Sequence, residues 1–236
     1  MFHVKQWWIL MSKINKNFWE KAKKYYELKE LERLGLTPTL EQREKILIFI
    51  GLLIKWNKAA GLISPKDEER LFLRHFCDSL QPLLLFGFKK NAKVLDIGSG
   101  GGFPAIPIRI FRPDLEFCLA EANKKKCMFL MELKKELMFD NINIYNGRIE
   151  KMPVLGNGFD YVITRGLGTI KEFIKLAKPF LAKDGRMYSF KTKNFEEELE
   201  NITSNKEKSG IKVREIAEYD LGNEIQGLNL VSLEVF

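Results

Sequence analysis

The stretch Lys93-Val94-Leu95-Asp96-Ile97, running directly into Gly98-Ser99-Gly100-Gly101-Gly102, constrains this chain more than any other. Its apolar residues read as a short buried strand that stops at the glycines. Four glycines in five positions remove Cβ atoms where the backbone must bend sharply, and they let a ligand approach the main chain closely. Pro104 follows and suits the first turn of a helix to Phe111, because the N–H that proline lacks would have no partner there. Strand, glycine turn and helix form the opening unit of a layered α/β domain, with a binding loop at the carboxyl end of the strand.

The rest of the chain extends that unit. Glu116 to Glu121, Ile142 to Tyr145, Phe159 to Thr164 and Gly185 to Lys191 read as strands, with helices over Asn123 to Leu137, Thr169 to Ala182 and Phe195 to Lys208 between them. Ile211 to Tyr219 and Leu228 to Phe236 close the chain as two more strands. Alternation of this kind implies a mostly parallel sheet covered on both faces. Ahead of it, from Phe18 to Ile63, apolar residues such as Ile46, Phe49, Ile50 and Leu53 recur at helical spacing. The expected organisation is a helical region over residues 1–90 and an α/β domain over 91–236. Met11-Ser12-Lys13 reads as an alternative start, so Met1 to Leu10 is expected to be either a poorly ordered extension or no part of the native protein.

The net charge of +8 is unevenly spread, since the first 90 residues hold 17 Lys and Arg against 10 Asp and Glu. A basic third suits nucleic-acid phosphates, and a solvated Lys-rich helix surface explains it equally well. No apolar run reaches the roughly 20 residues that span a bilayer, and Trp7 to Met11 is too short for a signal-peptide core, so the cytoplasm is the expected location with no membrane partner. Cys77, Cys118 and Cys127 are odd in number and lack paired CxxC spacing, so neither a disulfide framework nor a metal site is expected. Met128, Met131 and Met138 fall at near-helical spacing and are expected to fill the core.

Two ligand classes use such a loop. The nicotinamide fingerprint requires a third small residue where this chain has Phe103, which weakens a dehydrogenase reading. Asp96, just before Gly98, Gly100 and Gly102, fits a cofactor bearing an ammonium group, as S-adenosylmethionine does, better than a pyrophosphate. Glu121 ends the second strand 19 residues past Gly102, where a carboxylate can accept hydrogen bonds from ribose hydroxyls.

Across Lys55 to Lys191 the chain resembles the RsmG/GidB family of bacterial methyltransferases. The resemblance rests on Lys55-Trp56-Asn57-Lys58, His75-Phe76-Cys77-Asp78-Ser79-Leu80 and the loop Asp96 to Pro107. It continues through Glu121 with Lys125 and Lys126, Gly147-Arg148-Ile149-Glu150, Thr164-Arg165-Gly166 and Lys191-Thr192. It departs at Gly61-Leu62-Ile63, where the family has Asn-Leu-Thr, and at Thr192, where it has Gly. The resemblance implies a Rossmann-like class I methyltransferase with a seven-stranded sheet and S-adenosylmethionine as cofactor. It further implies transfer to a guanine N7 of small-subunit (16S) ribosomal RNA, with the RNA or the subunit as partner rather than DNA. Gly98, Phe103, Ile149, Glu150 and Arg165 are then expected at the cofactor.

Guanine N7 carries a lone pair and no proton, so its methylation needs orientation rather than a general base. Lys191 and Arg148 are the expected catalytic residues: Lys191 at a strand end can contact the RNA backbone or guanine O6, or be a simple exposed strand-end lysine, with Arg148 and Lys125 as similar contacts behind it. Arg165 at a strand end can pair with a carboxylate or phosphate, or form an ordinary salt bridge. His75 is expected to be structural. Two other functions fit the same residues: a related methyltransferase acting on a small molecule or protein, and a non-catalytic ribosome-associated RNA-binding module.

Overall fold

The computed structural model describes residues 16–153, 158–192, 195–203 and 210–235, without the side chains of residues 16, 17 and 201–203. Lys13, the extension Met1 to Leu10, the last five residues of the expected helix to Lys208 and Phe236 therefore lie outside the described residues.

The helical region comprises α1 (Lys16–Lys24), α2 (Leu28–Arg33) and α3 (Leu40–Ala60), followed by two π-helical segments, Leu71–Cys77 and Pro82–Phe86. The sequence marks both ends of α3. At its start, Thr39 accepts a hydrogen bond from the Gln42 N–H while the Gln42 side chain accepts from the Thr39 N–H, a reciprocal cap for otherwise unpaired donors. At its end Gly61 takes φ +58°, and the Asn57 side chain accepts the N–H groups of Leu62 and Ile63 at 2.9 Å each. Left-handed backbone is what the terminating position needs, and Asn adopts it almost as readily as Gly. The departure from the family's Asn at residue 61 thus preserves the backbone role.

The α/β part contains β1 (Lys93–Ile97), α4 (Ala105–Phe111), β2 (Glu116–Glu121), α5 (Lys124–Glu136), β3 (Ile142–Asn146), β4 (Phe159–Thr164), α6 (Ile170–Ala177), β5 (Leu181–Lys191), α7 (Glu196–Thr203), β6 (Ile211–Leu221) and β7 (Ile225–Val235). These strands form a seven-stranded sheet of order β3-β2-β1-β4-β5-β7-β6. Strands β1 to β5 pair in parallel, and β7 runs antiparallel to both β5 and β6. The strand order reverses between β1 and β4. That reversal opens the crevice where parallel sheets bind ligands.

The helical region does not pack as a separate body. A continuous apolar cluster runs from Ala22, Phe49 and Phe76 to Val94, Phe103, Phe117 and Tyr188. Phe72 and Phe76 stack at 5.0 Å, and Phe49 meets Phe103 of the glycine loop at 5.1 Å. The other face of the sheet is closed by Phe173, Phe180 and Phe195, packed with Leu95, Val162 and Met187.

Two expectations need correction. Met128, Met131 and Met138 are half exposed, at 49 %, 52 % and 59 %. The buried face of α5 is Cys127, Phe129, Leu130 and Leu133, and positions 128 and 131 share a spacing that marks the outer face of a helix as readily as the inner one. The helix expected to reach Ala182 ends at Ala177, because Pro179 lies in a 3₁₀ turn and Leu181 already pairs with Phe159 of β4. Among the described residues no helix is long and apolar enough to cross a membrane, and no group of three metal-ligating side chains occurs. The three cysteines are buried and unpaired.

Candidate active site

The candidate residues gather at the carboxyl ends of β1, β2, β4 and β5 and just beyond β3. Leaving β1, the chain hangs its glycine loop on the neighbouring strand: the Gly98 N–H donates to the Ala120 carbonyl at 2.9 Å, and the Gly102 N–H turns back to Ser99 at 2.7 Å. Gly98 and Gly100 take φ +77° and +51°, and a Cβ at either would find nothing closer than 3.7 Å. Those two glycines face open space. Gly102 differs, because a Cβ there would lie 2.8 Å from Ile106 and 3.5 Å from Phe49. Its small size is demanded by helix packing rather than by a ligand.

Two carboxylates flank the loop. Asp96 is fully buried, and neither of its oxygens has a hydrogen-bond partner among the described residues. Burial lifts its pKa well above the ordinary carboxylate range. Glu121 adds to the rise, and the nearby Ser99 hydroxyl and Ala105 N–H oppose it. Glu121 is anchored: Oε2 accepts from the Gly100 N–H at 2.9 Å and Oε1 from the Asn123 N–H at 2.7 Å. Each oxygen keeps lone-pair capacity for a further donor.

Arg165, just past the end of β4, spends its guanidinium within the chain. Nε donates to Asp78 Oδ2 at 2.8 Å, one terminal nitrogen donates to His75 Nδ1 at 2.8 Å, and the other donates to the Arg74 carbonyl at 2.7 Å. The Tyr219 hydroxyl, from β6, completes Asp78 at 2.6 Å. The guanidinium also lies 5.9 Å from the Phe103 ring centre, and the His75 ring 5.3 Å from it. Arg165 thus ties the π-helical segment to the sheet, and Phe103 packs in the seam between them.

Arginine has no acceptor, so His75 must accept at Nδ1 and carry its proton on Nε2. Burial and the Arg165 charge push the His75 pKa down to about 3. The unfolded chain, with an ordinary histidine, therefore binds this proton first as pH falls. Stability from this group is complete above about pH 6.5 and declines toward pH 3, by at most on the order of 5 kcal/mol. We expect His75→Leu to flatten this part of the stability–pH curve in urea melts. Parallel curves for the variant and parent between pH 6.5 and 4 would contradict it.

Lys191 ends β5 with its side chain only 10 % exposed. Its ammonium donates to the Gly168 carbonyl and to Glu198 Oε2, both at 3.0 Å. Glu198, on α7, also accepts the Ile170 N–H at the start of α6, at 2.6 Å. Gly168, Lys191 and Glu198 line a cavity of about 530 Å³ together with Arg165, Phe190, Phe195 and Tyr219. Beyond β3, Ile149 is buried beneath the loop side of the sheet, whereas Arg148 and Glu150 are exposed. Lys125 is exposed in the first turn of α5. The structure brings Asp96, Glu121 and the glycines together, and Arg165 with Lys191, but leaves Arg148 and Glu150 on the rim.

The GidB family pattern, described as rRNA small subunit methyltransferase G, matches residues 42–225. The chain belongs to that family. Curated relatives with the name ribosomal RNA small subunit methyltransferase G include the protein of Francisella philomiragia, 36 % identical over 78 % of this chain and 87 % of its own length. That of Methylobacillus flagellatus is 37 % identical over 72 % of this chain and 80 % of its own. In fold, the chain resembles a SAM-dependent methyltransferase from Aquifex aeolicus, with TM-score 0.54 and 17 % identity over 78 % of this chain and 98 % of that one.

The GidB site fits S-adenosylmethionine on its own geometry. Asp96 is an unpartnered carboxylate behind the loop that would meet an ammonium group, the open faces of Gly98 and Gly100 leave room for a ligand against the backbone, and Glu121 would be the acceptor for ribose hydroxyls. Sequence reasoning missed Glu198 and Tyr219. No local signal marks them, because each meets its partner only through the packing of α7 or β6 against the strand ends.

Proposed function

We propose that this GidB member transfers a methyl group from S-adenosylmethionine to N7 of a guanine in small-subunit ribosomal RNA, acting in the cytoplasm. The observation that carries the reading is that the orphaned Asp96 and open glycine loop at the end of β1 and the Lys191 cavity at the end of β5 lie on the same edge of the sheet, with β4 and Arg165 between them. The bound cofactor supplies a sulfonium methyl. The chain's part would be placement, holding guanine N7 in line with that methyl group; N7 carries a lone pair and no proton, so no side chain has to take one. Orientation alone can account for much of such a rate. Asp96 balances the ammonium charge, Glu121 holds the ribose, and Arg165 acts by fixing the walls of the site. Lys191 retains a third N–H for guanine O6. Ile149 supplies an apolar wall and Glu150 a carboxylate at the rim, with Arg148 and Lys125 placed to meet RNA phosphates.

The basic helical region is the RNA-facing surface in this reading. Lys21, Lys23 and Lys24 are exposed on α1, and no salt bridge engages them among the described residues. Replacing all three by Gln is expected to weaken RNA binding in filter assays and to flatten the log–log salt dependence by somewhat under one unit for each phosphate that is no longer neutralised. Cofactor affinity should stay as in the parent. Unchanged RNA affinity across the salt series would reduce this surface to a solvated face and favour a substrate other than RNA.

A further inference from the structure

We infer that Glu198 is the residue that selects guanine, by accepting hydrogen bonds from the Watson–Crick edge of the base in the Lys191 cavity; this rests on the proposed function above. The cavity, about 530 Å³, is of the size that takes small ligands. The rings of Phe190 and Phe195 contribute to its wall, and a cation and an anion sit side by side within it. Lys191 is fixed by Gly168 and by Glu198 Oε2, which leaves one of its three N–H groups without an acceptor among the described residues. Glu198 is fixed through that same oxygen by Lys191 and by the Ile170 N–H. Its other oxygen accepts no hydrogen bond among the described residues, and its side chain is 28 % exposed. The pair therefore presents one donor beside one charged acceptor, on a rigid mount.

That pattern is complementary to guanine. Along its Watson–Crick edge guanine offers the O6 acceptor followed by the N1–H and N2–H donors, and splayed-out RNA bases are commonly read on that edge. With O6 on Lys191 and the N1–H and N2–H donors converging on the two lone pairs of the free Glu198 oxygen, N7 lies on the opposite side of O6, away from both residues. Adenine in the same pose would turn an amino group toward the ammonium and a bare ring nitrogen toward the carboxylate. Sites built on hydrogen bonds reject substrates that leave those groups unpaired by factors of about 10⁴ to 10⁵.

Inosine tests this, because it keeps O6, N1–H and N7 and lacks only the 2-amino group. Single-turnover methylation is measured on small-subunit RNA carrying guanine or inosine at the methylated position. The parent is expected to prefer guanine in kcat/KM by roughly ten- to a hundredfold, the worth of a hydrogen bond to a charged acceptor. In Glu198→Ala the preference should collapse toward unity, even if loosening of Lys191 slows both substrates. Glu198→Gln can keep the bonds to Lys191 and Ile170 through its amide oxygen, and should also lose the preference while melting like the parent. A guanine-to-inosine ratio retained in both variants, or absent from the parent, overturns the inference. A parent that methylates neither RNA refutes the proposed function instead, and the inference with it.

Discussion

Asp96→Asn is expected to weaken S-adenosylmethionine binding by about 1.5–3 kcal/mol, the usual value of hydrogen bonds to a charged group, or roughly ten- to a hundredfold in Kd. The same variant should be at least as heat-stable as the parent. The reason is the same in both cases. The carboxylate is fully buried, has no partner among the described residues, and has its pKa raised by burial, so the ligand-free protein bears the cost of an unsatisfied acidic group in its core. Asn has the same shape and cannot ionise, which removes the penalty on the buried charge, though not that on a buried polar group, and also removes the charge that an ammonium group would meet. Calorimetric titration beside a thermal melt reads both quantities. Unchanged affinity in a variant of parental stability would show that Asp96 does not face the cofactor.

The second large effect is expected at Arg165. Its side chain is 16 % exposed and that of its partner Asp78 only 5 %, so Arg165→Ala strands a buried carboxylate with the Tyr219 hydroxyl as its remaining side-chain partner. Breaking a buried pair from one side typically costs about 3–5 kcal/mol. For a chain of this length that corresponds to a fall in melting temperature of roughly 6–20 °C. Arg165→Lys should recover little, since one ammonium cannot reproduce three divergent donors. Because the Arg165 charge helps to hold the His75 pKa down, the alanine variant should also lose less stability on acidification from this histidine, whose folded-state pKa moves back toward its ordinary value. A melting point within about 2 °C of the parent, well below the shift such a loss implies, would mean that the network contributes little and that Arg165 is available to a ligand.

These two residues show how far the sequence could be read. The position of Asp96 was legible because it is local: a strand, a glycine loop and an acid at their junction are adjacent in the chain. The position of Glu121 at the end of β2 was legible for the same reason, although its anchoring by the Gly100 N–H was not. Arg165 could be placed at a strand end, but its partners Arg74, His75 and Asp78 lie on or beside the π-helical segment, and Tyr219, which completes Asp78, lies on β6. Only the tertiary fold decides whether such a guanidinium points to a ligand or to the chain. Periodicity failed in one instructive case. Met128 and Met131 share a helix face, yet spacing cannot say which face a helix buries, and the bulkier Phe129 and Leu130 took the core. The end of α6 was misplaced because the apolar run continues through Leu181 and Ala182, where pairing with β4 outweighs local propensity.

The central claim is methyl transfer to guanine N7, and mass spectrometry of nucleosides from small-subunit RNA tests it most directly. Unmodified RNA is incubated with the protein and S-adenosylmethionine, digested and analysed. The account predicts 7-methylguanosine, formed with the parent and lost with Asp96→Asn at limiting cofactor. RNA that gains no methyl group, or gains it on another base or another guanine atom, would contradict the account.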